Sequence, residues 1–215
     1  MRKIVFWLVF VLFVCQLASC GSNTYIYVLA SEDNRNDVMP YTCTYENKFD
    51  KQNRTLTFTQ IDEKGKPMGY GTATYDEQGN RLTYTLKDSN QNTYLSQEFT
   101  YDEAGRETGI YTRMLGNPDC MEYKTWEKGE LVGGMLCYYS DSGEITSTEI
   151  YKIQTVNGGK VISYYDTEGA VISSSGYRET YDKNGNLVLY ITYADGAFIE
   201  ETSRVKYTYK RISIS

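Results

Sequence analysis

The chain has 215 residues, no histidine, 22 tyrosines and a formal net charge of −6. The absence of histidine excludes Ser–His and Cys–His catalysis and metal binding by imidazole. The negative balance disfavours nucleic acid and anionic lipid headgroups as partners, because neither is attracted to a negative surface. No segment shows a sustained apolar period of 3.6 residues, so we expect an almost wholly β protein.

The first nineteen residues have the features of an export signal. Arg2 and Lys3 precede an apolar run over residues 4–14, which is too short to span a bilayer as a helix. Residues 17–20 read Leu-Ala-Ser-Cys, which resembles the lipobox of bacterial lipoproteins. The resemblance implies cleavage before Cys20 and a lipid on its sulfur, which would anchor the protein to a membrane of the bacterial cell envelope, outside the cytoplasm. The alternative is an ordinary signal peptide that is cut elsewhere. Removing residues 1–19 takes the net charge to −8.

Residues 20–40 are expected to connect the lipid to the folded part. Residues 25–29, Tyr-Ile-Tyr-Val-Leu, suit a short strand. Residues 31–40 are polar, and we interpret them as an exposed loop or flexible linker. They lack the regular ligand spacing of a calcium loop, so no metal is expected there. The repeat domain is predicted at residues 41–215.

From residue 41 onward, short alternating runs are separated by turn signals. Residues 54–59 and 82–86 alternate threonine with large apolar residues, which predicts strands with one wet and one buried face. The aromatic residues Phe49, Tyr75 and Tyr101, each before a strong turn, follow one another at intervals of 26 residues. That interval holds two strands and two turns, so the predicted repeat unit is a β-hairpin.

The strongest turns share the phrase Tyr-Asp-x-x-Gly. The aspartate can accept hydrogen bonds from backbone N–H groups within the turn, and the glycine can take a left-handed conformation without steric cost. This chemistry predicts type I turns closed by a glycine bulge. The turn residues are Asp76 and Gly79, Asp102 and Gly105, Asp166 and Gly169, and Asp182 and Gly185.

The phrase at residues 75–82, and again at 181–187, resembles the YD (RHS-type) repeat. The resemblance spans roughly residues 41–193 and implies consecutive β-hairpins in a wide, curling sheet. We therefore expect an all-β fold, a repetitive antiparallel β-hairpin meander that forms one wide, curled single sheet or an open barrel-like shell.

Two cysteines form a candidate disulfide. A two-residue turn at Lys128 and Gly129 would place Cys120 directly opposite Cys137, and an exported protein permits the bond. A bulge at Gly133 or Gly134 would shift the register by one residue and leave two free thiols. Cys43 is then left over as a buried apolar residue.

Four strand tyrosines, Tyr84, Tyr111, Tyr123 and Tyr190, are candidate binding residues. Exposed rings on a sheet would suit stacking on sugar rings or contact with a peptide. The other interpretation is that the tyrosines cover the apolar face of the sheet. The two interpretations differ in which way the rings face.

Candidate catalytic and metal-binding groups are few. Glu200 and Glu201 are adjacent on a strand and point to opposite faces, so they cannot act as a pair. The run from Asp88 opens like a calcium loop but has Phe99 where a bidentate glutamate is needed. We expect no cofactor, no metal and no catalysis. The predicted function is a lipid-anchored binding or structural module with a protein or glycan partner. The alternatives are a carboxylate-dependent carbohydrate-active enzyme and an immunity-type lipoprotein related to repeat-shell toxins.

Overall fold

The computed structural model describes residues 25–36, 40–194, 197–198 and 201–214, and these ranges form fourteen strands. Cys20 and the signal segment lie outside the described residues. No helix in the described ranges is long and apolar enough to cross a bilayer. The strands are β1 (Tyr25–Asn36), β2 (Tyr41–Asp50), β3 (Thr55–Asp62), β4 (Pro67–Tyr75), β5 (Arg81–Asp88), β6 (Thr93–Tyr101), β7 (Glu107–Met114), β8 (Asn117–Glu127), β9 (Glu130–Tyr139), β10 (Ile145–Val156), β11 (Gly159–Tyr165), β12 (Val171–Tyr181), β13 (Leu187–Tyr193) and β14 (Glu201–Ser213).

Each strand pairs antiparallel with the next one along the chain, and β1 pairs with β14 to close a barrel. The all-β hairpin meander expected from the sequence is confirmed. The shell is closed rather than open, because β1 and β14 pair from Tyr25 opposite Ser213 to Asn36 opposite Ser203. Closure satisfies the backbone groups that an open sheet would leave at its two edges.

The strand predicted at residues 25–29 is present as the first part of β1, but the loop or linker predicted for residues 31–40 is wrong for residues 31–36, which continue β1. Ser31 to Asn34 pair with β2 on one side, and the same residues pair with β14 on the other. The physical reason is that this wall of the barrel is polar inside, so Glu32 and Asn34 are buried among tyrosines rather than solvated. The folded domain therefore includes part of the segment assigned to the linker.

The hairpin turns are built by side-chain capping. Asp76 Oδ1 accepts hydrogen bonds from the backbone N–H of Gln78 at 2.9 Å and of Asn80 at 2.7 Å, and Gly79 has a φ of 85°. Asp102, Asp166 and Asp182 accept the equivalent pairs of bonds in their own turns. The left-handed glycine lets the chain reverse without a Cβ clash.

The two faces of the wall differ in burial, as period-two alternation requires. Leu56 and Phe58 are buried inside, whereas Thr57 between them is exposed outside. One core cluster fills the interior beside β3–β6 and joins these side chains to Ala73, Tyr75, Tyr84 and Phe99. Ile26 and Val28 of β1 and Ile214, directly after β14, pack into the same cluster, so the closing part of the barrel also supplies part of the core.

The inner wall from β8 round to β14, together with the Glu32 end of β1 and the Tyr41 end of β2, is polar and aromatic instead. Tyr151 and Tyr164 lie side by side with ring centroids 6.0 Å apart, and Tyr177 lies 5.6 Å from Tyr190. Burial raises the pKa of Tyr164 to about 12. Lys124 and Lys160 also lie on this wall and pair with Glu107 and Glu179. The barrel thus has an apolar half and a polar half.

Candidate functional site

The structure divides the four candidate binding tyrosines between the two faces of the wall. Tyr84 is buried in the core, where its ring stacks on Phe58 at 5.8 Å with an interplanar angle of 20°. Tyr190 faces the interior beside Tyr177. The binding role proposed for Tyr84 and Tyr190 is wrong, because inward rings on a closed barrel cannot stack on an external partner.

Tyr111 and Tyr123 lie on the outer face. Tyr123 on β8 is 45% exposed. Tyr111 on β7 is half-buried and meets Tyr139 edge-to-face, with ring centroids 6.2 Å apart, and the guanidinium of Arg113 lies 4.7 Å from the Tyr111 ring. These contacts hold the ring of Tyr111 in place, so this part of the outer wall presents fixed aromatic surface.

A continuous row of outward apolar side chains runs from Tyr123 across five strands. The strand register places Tyr123 opposite Met135, Met135 opposite Ile150, Ile150 opposite Tyr165, and Tyr165 opposite Val171. We call these five residues the apolar band. Four of them are exposed: Tyr123 by 45%, Met135 by 36%, Ile150 by 39% and Val171 by 63%. Contiguous exposed apolar surface of this kind is typical of interaction sites.

The acidic β11–β12 turn, with Asp166 and Glu168, follows the Tyr165–Val171 end of the apolar band, whereas the outward positions on either side of its middle are uncharged or basic. The next outward row along the strands contains Met121, Cys137 and Thr148. On the other side, Lys152 follows Ile150 at the next outward position, and its Nζ lies 5.2 Å from the Tyr165 ring centroid. The charge of Lys152 is therefore directed onto the edge of the band, where the aromatic face attracts it.

Outward apolar residues on β13 are covered, in contrast to the apolar band. Ile191 and Tyr193 are buried to below 10% exposure. Phe198, in the connection to β14, lies against Tyr193: its ring is 5.2 Å from that of Tyr193, and Arg178 lies 5.0 Å from the Phe198 ring. The chain thus supplies its own cover at β13 but supplies none, within the described residues, at the band.

A second outer surface is a shallow groove of about 520 Å³ across β2–β5. Its lining includes Lys48, Thr57, Thr59, Tyr70, Thr72 and Lys87. The threonines stand in cross-strand register, with Thr57 opposite Thr72 and Thr72 opposite Thr85. This hydroxyl-rich surface differs from the apolar band and would suit a polar ligand such as a sugar.

Inside the barrel, Glu32 forms a hydrogen-bonded cluster with two tyrosines. The Tyr41 hydroxyl donates to Oε1 of Glu32, and the Tyr45 hydroxyl donates to Oε2 at 3.1 Å. The Glu32 residue is only 1% exposed. Burial raises the pKa of Glu32 above its ordinary value, and the two hydroxyl donors offset part of that shift. The same burial raises the pKa of Tyr41 and of Tyr45.

A second inner cluster joins β7, β8 and β10 through Lys124. Its Nζ donates to Glu107 and lies 3.9 Å from Oε2 of Glu122. The Tyr151 hydroxyl donates to Glu122 Oε1 at 2.7 Å, and the Trp126 indole N–H donates to the Glu107 carbonyl at 2.7 Å. A buried charge without a partner strongly destabilises the folded state, so we interpret this cluster as structural.

The predicted disulfide is not formed. Cys137 lies opposite Met121, and Cys120 lies opposite Tyr138, so the two cysteines point to opposite faces of the wall. Both are free thiols, as is buried Cys43. The cause is a register shift between Thr125 and Trp126 near the β8–β9 turn, which moves every later pair by one residue.

The carboxylates considered for catalysis or metal binding have structural partners or lie outside the described ranges. Asp88 caps its own turn by accepting from the backbone N–H of Asn90 and Asn92. Glu201 forms a bidentate pair with Arg204 at 2.9 and 2.8 Å, and Glu200 is not among the described residues. Across the described ranges, no group of three His, Cys, Asp or Glu residues is placed to hold a metal ion.

Comparison with known proteins shows a distant likeness to solved structures. No family model matches the chain, and no curated protein matches it. Among solved structures, the chain is similar to a porin-like protein from Bacteroides uniformis ATCC 8492, with 13% sequence identity and a TM-score of 0.39, over 85% of this chain and 96% of that chain.

Two features of the structure were not predicted from the sequence: the buried Glu32 cluster and the apolar band. Glu32 lies in a run of polar residues, where an inward–outward alternation cannot be recognised from residue type. Met135 and Ile150 complete the apolar band only through the pairing of β8, β9 and β10. A search for outward apolar residues at matched register positions could have found them, once the register of those strands was known.

Proposed function

We propose that the protein is a lipid-anchored component of the bacterial cell envelope that binds a protein partner through the apolar band and catalyses no reaction. The observation that carries this proposal is the exposure of Tyr123, Met135, Ile150 and Val171 along one cross-strand row, which half-buried Tyr165 completes. The β-sheet fixes the backbone that carries these side chains, so a partner that covers them has to order side-chain rotamers but no loop.

The anchoring part of the proposal is supported by the position of the first strand. Tyr25 begins β1 only five positions after Cys20, which the lipobox-like sequence marks for lipidation. Strands β8–β12, which carry the apolar band, lie three to seven strands from β1 around the barrel. A lipid on Cys20 would therefore hold the barrel by the β1 side and leave the apolar band available to a neighbour.

The non-enzymatic part is supported by the partners of the interior charges. Lys160 pairs with Glu179 at 2.9 Å, and Lys124 is paired with Glu107. Glu32 accepts two tyrosine hydroxyls. These groups neutralise or hydrogen-bond one another across neighbouring strands, which is the arrangement of a structural network.

The anchor is tested by mass spectrometry of the protein from the membrane fraction. The proposal predicts an N-terminal peptide that begins at lipid-modified Cys20, and it predicts release of a Cys20→Ala variant from the membrane. An unmodified N-terminus at another residue would contradict the lipid anchor, but it would not contradict the proposal that the apolar band binds a partner.

The binding surface is tested by photo-crosslinking in the producing cells. A photoreactive residue in place of Tyr123 should give a discrete protein adduct, whereas the same residue in place of Thr57, which is exposed on the opposite part of the outer wall, should give none. A glycan array on the purified protein is the companion measurement. Adducts only from position 57, or glycan binding lost on Lys48→Ala, would refute the apolar band and assign the ligand to the groove.

A further inference from the structure

We infer that the partner of the apolar band is a second copy of this chain, joined through a two-fold axis at Ile150. This inference rests on the proposed function, because it names the partner of the same surface. It predicts a homodimer in which two barrels meet along the outer faces of β9–β11.

Self-complementarity of the row supports a second copy. Ile150 is the middle residue of the five, with Met135 and Tyr123 on one side and Tyr165 and Val171 on the other. A two-fold axis at Ile150 sets Ile150 against its own counterpart and Met135 against Tyr165 of the second copy. Thioether–aromatic contact of this kind is favourable, and a two-fold interface requires that every contact occur twice.

Charge distribution also favours this wall for self-association. Removal of residues 1–19 leaves a net charge of −8, so two copies repel each other in most orientations. The apolar band contains no charged residue, and the nearest cation along β10, Lys152, is held over the ring of Tyr165. Two copies can therefore approach through this wall with less electrostatic cost than through the acidic turns.

The geometry disfavours the bilayer as the occupant. The tether from Cys20 enters the barrel at β1, whereas Ile150 is on β10, five strands away around the wall. A membrane contact at the band would need the barrel to lie on a wall that faces away from its anchor. A neighbouring protein on the same membrane has no such restriction.

Sedimentation velocity of the chain from Gly21, which contains every described residue, tests the inference. Between 1 and 100 μM, on the order of the range where modest interfaces associate, we expect a concentration-dependent monomer–dimer equilibrium. Raising NaCl should strengthen association, because salt screens the repulsion between two acidic copies. Ile150→Asp should weaken association by about 30-fold or more, the effect of losing a central contact residue. Thr57→Asp is the matched control and should leave the strength of self-association unchanged.

A mixed-variant measurement tests the two-fold geometry and does not depend on a single substitution. Met135→Lys and Tyr165→Glu should each prevent self-association, because each puts an unpaired charge into both halves of the interface. Mixed together, they should form a heterodimer, since one lysine then faces one glutamate. Failure of the mixture, with both variants folded by circular dichroism, would overturn the axis at Ile150.

A wild-type chain that stays monomeric at 100 μM in high salt would overturn self-association. The proposed binding function would survive that result if the photoreactive residue at position 123 still formed an adduct with a different protein. It would fail if position 123 gave no adduct at all.

Discussion

Lys124→Met is expected to lower the free energy of unfolding by about 3 kcal/mol. The Lys124 side chain is 8% exposed and lies between the carboxylates of Glu107 and Glu122, which keep 21% and 24% exposure. Removing one partner of a buried ion pair costs about 3–5 kcal/mol, and the residual exposure of the two glutamates places this case at the lower end. In a chain of this size the loss corresponds to a fall of about 6–12 °C in melting temperature.

The assay is urea unfolding followed by tryptophan fluorescence. Trp126 is the only tryptophan after the signal segment, and its indole N–H donates to the Glu107 carbonyl, so it reports on this cluster directly. Lys206→Met, at an exposed lysine on β14, is the control and should change stability by less than about 0.5 kcal/mol.

A double-mutant cycle separates the ion pair from general effects of the substitution. Glu107→Gln combined with Lys124→Met should cost about 1–3 kcal/mol less than the sum of the single changes, because the second change removes the charge that the first left unpaired. A cost for Lys124→Met no greater than that of Lys206→Met, or strict additivity in the cycle, would refute this account of the inner wall.

Three further outcomes are expected. Burial raises the pKa of Glu32 above 4.5, so the folded protein keeps this proton at pH values where the unfolded chain has lost it. The wild type should therefore lose stability relative to Glu32→Gln as pH rises through the raised pKa of the folded state. Urea titrations at pH 4 and pH 8 that show an unchanged difference between the two proteins would contradict this. Gly105 has a φ of 74°, so Gly105→Val should lower the free energy of unfolding by about 1–2 kcal/mol. Ala104→Val in the same turn should leave the melting temperature nearly unchanged. Alkylation in denaturant without reductant should modify both Cys120 and Cys137, and recovery of the two as one linked peptide would overturn the β8–β9 register.

The hairpins could be predicted from the sequence because their signals are local. Asp76 and Gly79 determine their turn through bonds within five residues, and the alternation around Leu56 and Phe58 indicates which strand face is buried. Closure could not be predicted in the same way. It depends on pairs such as Glu32 with Tyr207, which are far apart in the chain and carry no local signal.

The direction of the tyrosines was not predictable because both faces of this wall accept aromatic rings. Tyr84 packs inside against Phe58, while Tyr123 lies outside in the apolar band. Only the register distinguishes them. One shift near Trp126 was enough to separate Cys120 from Cys137, since a displacement of one residue reverses the face of every later side chain.

Peroxide oxidation of methionines in intact cell envelopes tests the central claim most directly. Met135, in the apolar band, and Met68, on β4 away from it, are exposed to similar extents, 36% and 43%. Because sulfoxide formation follows exposure, both should be oxidised at similar rates in the dilute purified protein. If a partner covers the band in place, Met135 should be protected in the envelope while Met68 is oxidised. Equal oxidation of Met135 and Met68 in the envelope would contradict the claim that the apolar band is a binding surface.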